Sequence, residues 1–164
     1  MDKNEEGNDV LVGHIARTNP QWKDFTDDEQ VLVIFNGPHT YISSSWYDHE
    51  NVPTWNYLAV HVYGKIKIME GQQLYDALAK LVDKYEAHSA KPISVHTMSQ
   101  EMIRKEMKGV VGFEISMDEI QATYKLSQNR NQHNHSLIID ELDKIDDSNA
   151  KEIAKEMRKR VPEK

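Results

Sequence analysis

The run YISSSWYDHENVPTWNY (residues 41–57) gathers two of the chain's three tryptophans and three of its seven tyrosines, in a sequence only 8% aromatic. A packed core is better specified by Leu, Ile and Val, which carry no polar atoms to satisfy. Aromatic faces beside short hydroxyl and amide side chains suit instead a flat ligand with polar edges. Ser43, Ser45, Trp46, Thr54, Trp55 and Asn56 are the candidate contacts in this run. Two further groups carry donors. His14, Arg17 and Asn19 stand where an extended run meets a helix start, and the first two can donate to a phosphate. Lys125, Ser127, Gln128 and Arg130 form a dense donor cluster after a strand. Each group also has a plainer reading. Arg17 can pair with a surface carboxylate while His14 packs on a sheet, the tryptophans can fill an interface between subunits, and the 125–130 loop can be merely solvated.

Other chemistries are excluded or poorly supported. The chain has no cysteine, which removes disulfides, thiol catalysis and thiolate metal sites. His61 and the pair His133 and His135 do not supply a third or fourth ligand at a useful spacing, so no metal site is expected. No nucleophile elbow, phosphate loop or spaced acid pair is present. A net charge of −7 repels a nucleic-acid backbone on average. The terminal run KEIAKEMRKRVPEK, with Lys155, Arg158, Lys159 and Arg160, is the one basic cluster, and it reads most simply as a helix end whose cations complement the dipole. No window approaches the roughly 18 apolar residues of a membrane-spanning helix, and the acidic start MDKNEEGND is unlike a signal peptide. A cytoplasmic protein without membrane contact is expected.

These candidates need elements to position them. Residues 1–9 read as a disordered tail, and Val10 to Arg17 as a strand ending at Asn19-Pro20, the cap and first turn of a short helix through Phe25. Val31 to Phe35 is an apolar strand stopped by a turn at Asn36-Gly37-Pro38, with His39 to Ser43 as a further extended piece. Leu58 to Ile68 alternates cleanly, with Val62, Gly64 and Ile66 on one side and Lys65 and Lys67 on the other; Gly64 signals a bulge or a close backbone approach. Gly71 to about His88 is an amphipathic helix through Leu74, Leu78, Leu81, Val82 and Tyr85, and Ser99 to Lys108 a shorter one. Val110 to Met117 alternates again, Ile120 to Leu126 is ambiguous between strand and turn, and two helices close the chain. Helices do not alternate with strands, so a small antiparallel barrel with attached helices fits better than a doubly wound parallel sheet.

The segments GHIARTNPQW (13–22), FNGPHTYISSSWY (35–47), VPTWNYLAVHVYG (52–64) and KLSQNR (125–130) resemble, in order and spacing, the PaiB-like family of FMN-binding negative transcriptional regulators. The resemblance spans roughly residues 11–145. It implies a mainly-β fold with helices (α+β), an antiparallel split β-barrel of the flavin-reductase type, with a split-barrel domain over 10–130, a helical insertion at about 71–108 and C-terminal helices over 131–164 packing on the barrel. It implies a homodimer with FMN in clefts at the subunit interface, the phosphate gripped at the strand end that carries His14, Arg17 and Asn19. The other donors, Ser43, Ser45, Trp46, Thr54, Trp55, Asn56, Lys125, Ser127, Gln128 and Arg130, would meet the flavin or its phosphate. The family commonly has proline where this chain has Ser44, and its usual N-terminus runs several tens of residues further upstream. A barrel short of its first strands exposes an apolar edge that a second copy would cover. The function expected is that of an FMN-binding regulator, with an FMN-dependent oxidoreductase of the same fold and a cofactor-free DNA-binding repressor as the alternatives. DNA contact is the weakest of the expected partnerships.

Overall fold

The computed structural model describes residues 2–4, 6–26 and 29–161. Six strands are found among them: β1 (Asp2–Lys3), β2 (Asp9–Ala16), β3 (Gln30–Ile42), β4 (Thr54–Met69), β5 (Val110–Ser116) and β6 (Glu119–Lys125). Four α-helices accompany them: α1 (Gly71–Glu86), α2 (Gln100–Lys108), α3 (Gln132–Lys144) and α4 (Ser148–Arg158). The strand order is β1-β2-β5-β4-β3, with β6 also paired to β4. The registered pairs β1–β2, β2–β5 and β4–β5 are all antiparallel. The chain divides into two compact units, residues 1–32 with 63–119 and residues 33–62 with 120–164.

In the first unit β2 pairs with β5 along its whole length, from Val10 opposite Ser116 to Ala16 opposite Val110. Val10, Ile66, Val111 and Ile115 are buried on this sheet. The alternation read in the sequence holds here: Val62, Gly64 and Ile66 are buried, while Lys65 and Lys67 are exposed. Gly64 is a close backbone approach. A Cβ there would lie 1.7 Å from the Ser116 carbonyl oxygen, which no side chain survives. Asp2 and Lys3, expected within a disordered tail, pair instead with Val10 and Asp9, and Lys3 reaches Asp9 at 3.0 Å. The helices α1 and α2 and a 3₁₀ turn at Val95–Thr97 share a separate small core of Ala79, Val95 and Ile103. The apolar stripe of α1 is only half covered: Leu74 is buried, but Leu81 and Tyr85 are exposed.

The second unit is built differently. Ile42, Tyr47, Leu126, Ile138, Leu142 and Met157 join four more buried residues in one continuous core on which α3 and α4 lie. Capping fixes both helix starts: Asn131 accepts from Asn134 N at 2.8 Å, and Asp147 accepts from Ala150 N at 2.9 Å. The turn predicted at Asn36-Gly37-Pro38 is absent, and β3 runs straight through it. Its place at the sheet edge explains why: a proline without N–H costs nothing on the unpaired side. Gly37 answers to close packing as well, since a Cβ there would meet Leu58 O at 3.1 Å. The ambiguous segment before Leu126 is strand β6.

Candidate functional site

The first donor group sits where β2 ends. Asn19 caps the 3₁₀ helix Pro20–Asp24 by accepting from Gln21 N at 3.0 Å, which turns the chain sharply after the strand. That turn brings Trp22 back onto Arg17. Its indole Nε1 donates to Arg17 O at 2.9 Å, and the guanidinium lies 5.5 Å from the centre of the indole ring. Arg17 also donates from Nε to Lys108 O at 2.9 Å and from Nη2 to Val110 O at 3.1 Å, so the fork is oriented by the turn between α2 and β5. Arg17, Trp22, Lys108, Met69, Glu70 and Gly71 contribute to the walls of a cavity of about 320 Å³. The start of α1 opens there, and its N-cap residue Glu70 makes no side-chain capping bond. His14 lines another cavity, of about 590 Å³, with Gly13, Leu74, Lys80 and Lys84.

The second unit holds the remaining candidates. Ser43 caps the short 3₁₀ helix Ser44–Trp46, accepting from Ser45 N at 3.2 Å, and its hydroxyl lies 2.9 Å from that of Ser45. Ser44 is the first residue of that helix, a position that also accepts the proline of the family pattern. Trp46 packs against the unit's core. Trp55 is 52% exposed and forms an aromatic surface with His39 at 5.9 Å and Tyr41 at 6.2 Å between ring centres. The Lys125 ammonium donates to the Thr54 hydroxyl, joining β6 to the start of β4.

Three further candidates also have polar atoms engaged within the fold. Asn56 is fully buried, donates to Ser127 Oγ at 3.0 Å and accepts from that hydroxyl in return at 3.2 Å. Ser127 is held at φ 59°, the left-handed region, where a side chain is tolerated only with such support. Gln128 folds over its own turn, accepting from Leu126 N and donating to Tyr124 O, both at 2.6 Å. Arg130 lies 5.2 Å over the ring of Tyr47.

Sequence reasoning missed a polar cluster beside this loop. Asp48 Oδ1 accepts from His49 Nδ1 at 2.6 Å and from Asn134 Nδ2 at 2.8 Å, and Asp48 N donates to Asn134 Oδ1 at 3.1 Å. His133 Nε2 stands 3.6 Å from the second carboxylate oxygen. The His49 hydrogen bond, then that of Asn134, hold the Asp48 carboxyl below its usual range. His135 is buried with no partner for Nε2 among the described residues, and burial pushes its pKa down. The adjacent DHEN and HNH runs were the available signal, but neither announces the other across 86 residues. No cluster of three or more His, Cys, Asp or Glu able to hold a metal occurs among the described residues.

The antiparallel sheet, with a helical insertion between β4 and β5, defines a split barrel of the flavin-binding kind. The FAD and heme binding protein from Mycobacterium smegmatis superposes with a TM-score of 0.51 at 13% identity, over 71% of this chain and 54% of that one, which supports the fold alone. Residues 1–119 match the family described as "Putative FMN-binding domain". A Bacillus subtilis (strain 168) protein named "Protease synthase and sporulation protein PAI 2" is 47% identical over 151 residues, covering 92% of this chain and 73% of that one. An uncharacterized protein of Emericella nidulans is 29% identical over 185 residues, covering 93% and 74% respectively. The chain belongs to the PaiB-like family of FMN-binding split-barrel proteins.

Proposed function

We propose that this FMN-binding, regulator-like protein works as a cytoplasmic homodimer, with Arg17 as the anchor of the flavin phosphate. The chemistry of the donor set fits FMN. A guanidinium oriented by two backbone carbonyls and stacked on Trp22, with Lys108 lining the same cavity, suits a phosphate. Taken by itself, the second unit offers the exposed Trp55 surface to the flat face of a flavin and Thr54 with Lys125 to a polar edge. Bound FMN would supply redox-active flavin chemistry. In this reading Asn56, Ser127 and Gln128 shape the loop that presents Lys125 rather than touching the ligand. His14, Asn19, Ser43, Ser45, Trp46 and Arg130 complete the expected set, with Asn19 and Ser43 contributing chiefly through the turns that they cap. The oriented Arg17 fork, in a chain of this family, is the observation that carries the reading.

Dimerisation is supported by apolar side chains left open on the second unit: Ile34, Phe35, Tyr41, Trp55, Ile120 and Tyr124 are all exposed, and β3 is an edge strand. Direct DNA contact is the weaker part. Lys155, Arg158, Lys159 and Arg160 each meet a carboxylate, of Glu152, Asp143, Glu156 and Glu156 respectively. Among the described residues no helix is long and apolar enough to cross a membrane.

Titration with FMN tests the proposal. Flavin fluorescence should be quenched and yellow absorbance should travel with the protein through gel filtration at the dimer volume; folded protein that does neither rules it out. Oxidation of reduced nicotinamide by the FMN-loaded protein would favour the oxidoreductase alternative. A salt-sensitive gel shift without flavin would favour the cofactor-free repressor.

A further inference from the structure

We propose that the helical insertion carries a second ligand site, an apolar pocket that takes a small organic cation with its charge at Glu106. The pocket has a volume of about 310 Å³ and lies among α1, α2, the 3₁₀ turn at Val95–Thr97 with its cap residue Met98, and the first residue of β5. That volume is at the lower end of the range of small-molecule sites and far above the voids of an ordinary core. Its walls are aliphatic and thioether: Leu78, Val82 and Val95 with Met98, Met102 and Met107. Three methionines give a wall that can reshape around different apolar bodies. The one tyrosine in the lining, Tyr75, lies 3.1 Å by its hydroxyl from His96 Nδ1, a residue outside that lining.

Among the described residues Glu106 is the single charged one in the lining. The periodicity of α2 sets it there. Met102, Ile103, Glu106 and Met107 recur at helical spacing on the pocket side, whereas Arg104, Lys105 and Lys108 do not contribute to it. No hydrogen bond or ion pair of the Glu106 carboxylate is found among the described residues, and its backbone oxygen is occupied by Gly109 N at 2.9 Å. It is solvent-exposed and stands with Lys105 and Lys108 in the last turn of α2, where the helix dipole is negative. The carboxylate thus stands at the rim of an apolar pocket, and a cation attached to a hydrocarbon or aromatic body meets both. The small shared core of Ala79, Val95 and Ile103 leaves the space that such a body fills.

The test uses the full chain with methyl-labelled methionine, titrated with 4-phenylbutylammonium, with 4-phenylbutanol and with 4-phenylbutyrate. Saturable shifts of the Met98, Met102 and Met107 methyls are expected, with the ammonium binding roughly threefold tighter than the alcohol, the scale of one exposed ion pair. Glu106→Gln should bring the ammonium to the level of the alcohol. Met102→Gln, at a residue already half exposed, should weaken both. Methyls that shift with none of the three probes, or a carboxylate probe that binds as well as the ammonium, overturn the inference. FMN titration of the same variants is an independent readout. Flavin binding retained beside a silent pocket rejects this site and leaves the Arg17 reading standing, whereas a responsive pocket in protein that ignores FMN does the reverse.

Discussion

The two compact units of this chain bury their apolar residues in opposite ways. The second has one continuous core of ten buried residues on which two capped helices lie. The first has a buried row on the sheet, a separate three-residue core under its helices, and cavities of about 310 to 590 Å³ lined by its residues alone. Dense packing leaves few voids and specifies one state, while loosely filled helical layers leave room for ligands. The described cavities follow this division, while candidate contacts such as Trp55 and Lys125 lie on the surface of the denser unit. Arg17 and Glu106 line cavities of the first unit, whereas Asn56 and Ser127 are spent holding the second together.

The sharpest way to break this contrast is Gly64→Ala. With the Ser116 oxygen 1.7 Å from the new Cβ, β4 and β5 must separate, and the expected outcome is loss of the folded first unit, read as vanished amide protection over β2 and β5. Next comes Met157→Ala in the dense core, expected to cost about 2–5 kcal/mol in a urea melt with unchanged slope. A cost well under that range would show that the second unit is less tightly packed than its burial indicates. Arg17→Ala should weaken FMN by the roughly 1.5–3 kcal/mol of a charged hydrogen bond while leaving riboflavin, which lacks the phosphate, nearly unchanged. Equal losses for both ligands would assign Arg17 to the fold alone.

Acid should act on the second unit through His135. Its pKa is depressed in the folded protein, so the unfolded chain takes up a proton first. Its contribution is therefore present above the ordinary histidine value of about 6.5 and lost as pH falls below it. His135→Leu should flatten the fall in melting temperature between neutral pH and about 5, and an unaltered fall would exonerate this side chain. The smallest effect is expected at Arg158, whose pair with Asp143 is solvent-exposed on both sides: Arg158→Ala should shift stability by no more than about 0.5 kcal/mol.

Much of the fold was legible because its cues are local. The alternation through Val62, Gly64 and Ile66, the cap at Asn19-Pro20 and the apolar periodicity of α1 and α2 each act within a few residues, and each element is found. The failures are also physical. Pro38 reads as a strand breaker until its strand is seen to be an edge, and Ile120 to Leu126 could not be assigned without its partner strand. Asp48 and Asn134 are too far apart in sequence for either to predict the other.

By itself, then, the sequence determined the family, through four spaced motifs, and the local grammar of strands, caps and amphipathic helices. Tertiary structure decided which donors remain open. Arg17 is aimed by carbonyls at Lys108 and Val110, more than 90 residues along the chain, and Asn56 finds Ser127 across 71. A polar side chain is equally ready to hold a ligand or a neighbour, and only the folding that brings distant groups within hydrogen-bond reach selects between them.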